Sequence, residues 1–120
     1  MKISEEVKGL FQGMPFYPLV TKGKAGPHLI VLGKGFVVDD ETLAFFGWRQ
    51  SRTSENIKEN GAMQIVVVAG EKNKGFRIEG KGKIERDGEI FDDLKKKFPE
   101  QLGELKFATV MKIENVESLL

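Results

Sequence analysis

A chain of 120 residues provides for one domain with a modest core and not comfortably for two. Its 40% hydrophobic and 31% charged residues suit an ordinary soluble globular protein, and a net charge of +1 supplies no broad field for nucleic acid or anionic membrane. The absence of cysteine excludes disulfides, thiol catalysis and cysteine metal sites, and a single histidine, His28, excludes a multi-histidine cluster within one chain.

Ser4-Glu5-Glu6 reads as a helix start, a cap followed by acids in the first turn. Ile3, Val7, Leu10 and Phe11 then share one helical face, and Gly13 and Pro15 end the helix. Pro15 to Thr21 is apolar and aromatic and predicts a first strand, with Pro18 suggesting an edge or a bulge. Lys22 to Gly26 is a turn and Pro27 to Leu32 a second strand, together a hairpin with a longer loop. Gly33 and Gly35 interrupt the apolar run, which predicts a bulge or a close backbone approach. Phe36-Val37-Val38 resumes it, Asp39 to Thr42 turns the chain, and Leu43 to Trp48 is a further strand.

The joint after that strand is polar. Ser51 is a good N-cap for a helix over Arg52 to Asn60, which Asn60-Gly61 closes. The unpaired amides of such a helix start, with the positive end of its dipole, form a natural anion site. Arg52 adds a charged fork suited to phosphate. Two readings follow from the residues alone: a site for a cofactor phosphate, or a capped surface helix with solvated arginines.

Met63 to Ala69 is nearly continuous apolar residues and reads as a central buried strand. Gly70 to Lys74 is a charged turn. Gly75 to Glu85 alternates, with Phe76, Ile78, Gly80, Gly82 and Ile84 on one face and charges on the other. Its glycines permit the curvature of a barrel. After a turn at Arg86-Asp87-Gly88, Glu89 to Phe98 is helical, with Ile90, Phe91, Leu94 and Phe98 on one side and Lys95-Lys96-Lys97 on a wet face. Phe107 to Ile113 is the last strand, followed by a short apolar tail, Val116 to Leu120. The expected fold is mainly β: an antiparallel split barrel of six or seven strands with a few short helices, one domain over residues 1–120.

Four segments, in this order and spacing, resemble one family: Thr21-x4-Gly26-Pro27-His28-Leu29; Leu43-Ala44-Phe45-Phe46; Ser51-Arg52-Thr53-x2-Asn56-Ile57-x2-Asn60; and Gly75-Phe76-Arg77-Ile78-Glu79-Gly80. The family is that of the FMN-binding split β-barrel proteins related to pyridoxamine 5′-phosphate oxidase. Within it the chain is most similar to the small single-domain FMN-binding proteins of anaerobic bacteria, whose last strand Ala108 to Glu117 also resembles. The resemblance implies a homodimer with FMN at the subunit interface. It implies that Arg52 and Thr53 are the phosphate-binding pair after the Ser51 cap. Gly47, Trp48, Arg49 and Gln50 would line the flavin ring, and Val31 and Leu32 would face the ribityl chain and phosphate. Two departures stand out. The small group often carries polar residues where this chain has Val31 and Leu32, and the oxidases commonly have glutamine where it has Gly75.

Trp48 would cover the ring, fill the dimer interface or sit in the core. Arg49 would be a second phosphate or ring contact, or a solvated loop residue. His28, with no partnering acid in sequence, reads as structural. Flavin chemistry needs no side-chain nucleophile, so no catalytic residue is expected. The expected role is redox or electron transfer with a partner protein or small-molecule acceptor, without nucleic acid or membrane, in the cytoplasm. The other reading is a binding module that senses or stores FMN or another phosphate-bearing ligand. The oxidases carry a further C-terminal segment that grips the substrate phosphate. The chain ends at Leu120 without one, so pyridoxamine-phosphate oxidation is not expected.

Overall fold

The computed structural model describes residues 1–47, 51–99 and 105–120. Among the described residues, seven antiparallel strands and three α-helices follow one another as α1 (Glu5–Gly13), β1 (Tyr17–Gly23), β2 (Gly26–Leu32), β3 (Gly35–Asp39), β4 (Thr42–Gly47), α2 (Arg52–Asn60), β5 (Ala62–Ala69), β6 (Lys74–Glu85), α3 (Glu89–Lys97) and β7 (Phe107–Ser118). They form one sheet in the order β2-β1-β5-β6-β7-β4-β3. The two edge strands, β2 and β3, are consecutive in the chain yet not paired, which is the split expected of the barrel. Among the described residues no helix is long and apolar enough to cross a membrane.

The core follows the apolar patterns. Phe11, Leu19, Leu43, Phe45, Met63, Ile65, Val67, Ile78, Met111 and Ile113 are fully buried in one cluster inside the curved sheet. Three rings centre it: Phe11 stacks on Tyr17 at 4.3 Å, and Phe45 meets both edge-on at 5.8 and 5.7 Å. The Tyr17 hydroxyl donates to the Phe11 carbonyl at 3.0 Å, and its burial raises the phenol above its ordinary pKa. A second cluster, Phe91, Leu94, Leu105, Ala108 and Val110, seats α3 on the opposite face of β7. The alternation of β7 thus serves two cores at once, odd positions inward and even positions under α3.

Several expectations change. Pro18 lies on neither an edge nor a bulge, since β1 sits between β2 and β5. Pairing with β5 covers only Leu19 to Thr21, however, so Pro18 precedes the second ladder and its missing N–H costs nothing there. The β1–β2 hairpin is tighter than expected, for pairing runs out to Gly23 and Gly26 and leaves a two-residue loop. The bulge in β3 falls between Val37 and Asp39 and not at the glycines, whereas the close approach expected there holds at Gly35, where a Cβ would lie 2.9 Å from the Phe45 ring. The tail from Val116 is not a separate element, because β7 continues to Ser118 against the first half of β6.

At the bend of β6 the register shifts between Glu79 and Gly80, and a Cβ at Gly80 would lie 2.1 Å from the Lys112 carbonyl oxygen. Gly80→Ala should therefore cost about 2–3 kcal/mol, read as a fall in Tm. Gly9, in the middle of α1 with nothing within 4 Å of an added Cβ, is the control. Gly9→Ala should leave Tm unchanged or raise it by an amount equivalent to about 0.5–1 kcal/mol.

Candidate functional site

The split leaves a cavity of about 380 Å³, within the range of small-molecule sites. Its walls come from three places. β2 and the turn after it supply His28, Ile30, Val31, Leu32, Gly33 and Lys34. The paired ends of β4 and β7 supply Phe46, Gly47, Phe107 and Thr109, and the start of α2 supplies Ser51, Thr53 and Ser54. No carboxylate lines the cavity among the described residues, whereas a lysine, a histidine and four hydroxyls do. That inventory suits an anionic ligand.

The strand ends explain one wall. Gly47 pairs with Phe107, and a Cβ on Gly47 would stand 2.1 Å from the Phe107 ring. Only glycine lets the ring lie flat across the strand end and form part of the cavity floor.

The start of α2 is held by a capping box. The Ser51 amide donates to Ser54 Oγ at 2.9 Å, and the Ser54 amide donates to Ser51 Oγ at 3.4 Å. The box uses the first and fourth amides of the turn. Helix geometry leaves those of Arg52 and Thr53 as its open donors. At its other end the helix closes on Gly61 in the left-handed region, φ 76°.

Two asparagines fix where that turn points. Asn56 Nδ2 donates to the buried Thr21 Oγ1 at 3.1 Å, and Asn60 Nδ2 donates to the Lys22 carbonyl at 2.7 Å. Gly23, next along β1, lies against the Asn56 side chain. α2 is thus pinned to the hairpin whose second strand forms the facing wall. His28 is the cross-strand neighbour of Thr21, so the same clamp brings it beside the helix.

Thr53 is the one orphan of this site. It is only 7% exposed, lines the cavity, and its Oγ1 is the buried side-chain oxygen without a hydrogen-bond partner among the described residues. A buried hydroxyl left unpaired costs about 1–3 kcal/mol, which makes Thr53 Oγ1 the candidate contact for a ligand in this cavity.

The residues expected to bind therefore divide. Val31, Leu32, Gly47, Ser51 and Thr53 are brought together around the cavity. Arg52 is exposed and does not line it. Trp48, Arg49 and Gln50 lie outside the described residues. Sequence reasoning missed Ile30, Lys34, Phe46, Ser54, Phe107 and Thr109, and it took His28 for a purely structural residue. Alternation along β2, which puts His28, Ile30 and Leu32 on one face, was the available signal for the first wall. Among the described residues no group of three or more His, Asp or Glu side chains could hold a metal ion.

Thr53→Val keeps the shape and removes the orphan. The ligand-free protein should be as stable as before or more so, by up to about 1 kcal/mol in a denaturant melt. A loss of that size instead would mean that the hydroxyl has a partner within the fold.

The family model for pyridoxamine 5′-phosphate oxidase matches residues 3–119. No curated protein sequence matches the chain. Among solved structures, HupZ of Group A Streptococcus is 24% identical, with a TM-score of 0.88 over 98% of this chain and 94% of that one. An FMN-binding protein of Syntrophomonas wolfei is 20% identical, with a TM-score of 0.78 over 92% and 81% of the two chains. General stress protein 26 of Bacillus anthracis is 20% identical, with a TM-score of 0.74 over 96% and 92%. At these identities the likeness is one of fold.

Proposed function

The chain belongs to the pyridoxamine 5′-phosphate oxidase family, and from that premise we propose that it is a redox flavoprotein that holds FMN in the cavity between β2 and α2. The observation that carries the reading is the buried, unpartnered Thr53 hydroxyl beside two open amides at a helix start. A phosphate monoester satisfies all three donors and gains from the helix dipole. Arg52, exposed at the same turn, adds charge at the rim. That a structure sharing this fold is an FMN-binding protein supports the same choice of ligand.

In this reading β2 forms the side wall. The inward Leu32 side chain and the backbone at Val31 border the ribityl chain and offer it no polar side chain, which makes the phosphate end the main source of specificity. Gly47 and Phe107 form a flat apolar floor for the ring. FMN, when bound, supplies the electron-transfer chemistry. The residues themselves bind, orient and shield it, and none of the described ones is needed as a nucleophile or base.

Leu29 and Val31 stand 72% and 57% exposed on the edge strand β2, beside the cavity. Apolar side chains along an open strand edge invite cover. We assign that cover to a second copy of the chain, which makes the protein a homodimer with its cofactors near the interface.

FMN titrated into stripped protein should bind at about one per chain and more tightly than riboflavin, which lacks the phosphate. Thr53→Val should weaken FMN by about tenfold and riboflavin little, and Arg52→Ala should act in the same direction. Equal losses for both ligands would place the phosphate elsewhere. Reduction of the bound flavin by a nicotinamide donor or a reduced redox protein separates a redox role from simple storage.

In sizing experiments the protein should run as a dimer. Leu29→Lys with Val31→Lys should yield monomers with weakened FMN binding, since lysines on an edge oppose pairing. Wild-type monomers that hold FMN tightly would contradict the dimer.

A further inference from the structure

A second feature lies at the other end of α2 from the cavity. The last turn of α2 and the end of β6 enclose an open groove. Its floor is Gly61 and Gly82, joined by a 2.7 Å hydrogen bond from the Gly82 amide to the Gly61 carbonyl. Its rims carry Lys58, Lys81, Lys83 and Arg86 with Asn60, and no carboxylate lines it among the described residues. The acids nearest in sequence, Glu59, Glu85 and Asp87, stand outside it, although Glu85 reaches Lys83 at 3.6 Å.

The chain as a whole has a net charge of only +1, so this is local segregation of charge. Lys81 sits directly across from Lys112 on β7, a like-charge pair that disfavours the sheet, although Lys112 also reaches Glu41 at 3.6 Å. By contrast, the denser run Lys95-Lys96-Lys97 shares α3 with Glu89, Asp92 and Asp93.

One contact links a residue of the groove to a residue of the cavity. The Arg86 guanidinium lies 5.6 Å from the centre of the Phe107 ring, and that ring is part of the cavity floor. Whatever neutralises Arg86 sits one side chain away from the candidate redox centre.

We infer that this groove docks the acidic face of a partner protein. From Lys81 along the end of β6 to Arg86, which follows its last residue, the cations spread over up to about 16 Å. That span matches several carboxylates on a protein surface and exceeds one pyrophosphate. A second copy is a poor occupant, because a two-fold contact would set the same cations against each other. Charge of this kind steers encounter and sets orientation more than it adds affinity. The purpose of the contact, bringing a redox partner to the cavity, rests on the flavin reading. The contact itself does not.

The test uses the full chain, 15N-labelled, and an alternating Glu-Ser peptide of about twelve residues as the acidic probe. Amides of Lys58 to Gly61 and Lys81 to Asp87 should shift. The affinity should fall about tenfold between roughly 50 and 300 mM NaCl. Lys81→Glu with Lys83→Glu should abolish these shifts while the rest of the spectrum stays unchanged and the Tm does not fall. Shifts that centre on Lys95 to Lys97, spread evenly over the surface, or survive charge reversal would overturn the proposal. So would a groove that responds to NADPH and not to the peptide. A parallel FMN titration keeps the two readings apart: groove shifts without FMN binding sink only the flavin, and FMN binding without groove shifts sinks only the docking.

Discussion

The structure depends on where α2 is held. A nine-residue helix has little stability of its own. Here Ile57 enters the main core, and Asn56 and Asn60 bond the helix to the end of the β1–β2 hairpin. Those bonds do more than stabilise. They set the distance between the helix start and the β2 wall, and so they define the cavity. The capping box uses two of the free amides and leaves the middle pair open. The same few residues thus finish a helix and form the candidate anion site.

The sheet supplies the rest by remaining split. β2 and β3 follow each other in the chain with only Gly33 and Lys34 between them, yet they sit at opposite edges. Five intervening strands curve the sheet, and the aromatic cluster of Phe11, Tyr17 and Phe45 fills the curve. Closure would bury the β2 wall and abolish the cavity. The opening carries a cost in exposed apolar surface at Leu29 and Val31, and in a hydroxyl at Thr53 with no partner. Both costs fall at the candidate site, where stability is commonly given up for function.

Local features were legible in the sequence wherever one short signal decided them. Ser4 and Ser51 mark helix starts, Asn60-Gly61 marks an end, and the even positions of Phe76 to Ile84 mark an inward strand face. Long-range pairing hid the rest. Val116 to Ser118 look like a tail until they pair with Phe76 to Ile78 on β6. Phe107 and Thr109 look like core until β4 lays them at the cavity mouth. His28 looks incidental until its register with Thr21 turns it toward α2. Arg52 and Thr53 are adjacent and both polar, so composition cannot rank them. The helix ranks them, exposing the first and burying the second.

The claim under all of this is that the first turn of α2 receives a phosphate. Amide spectra of the ligand-free protein, followed as FMN and then riboflavin are added, test it most directly. The phosphate assignment predicts that the Arg52 and Thr53 amides move sharply with FMN and stay nearly fixed with riboflavin, while Gly47 responds to both. Arg52 and Thr53 amides that are unmoved by FMN while residues elsewhere shift would contradict it.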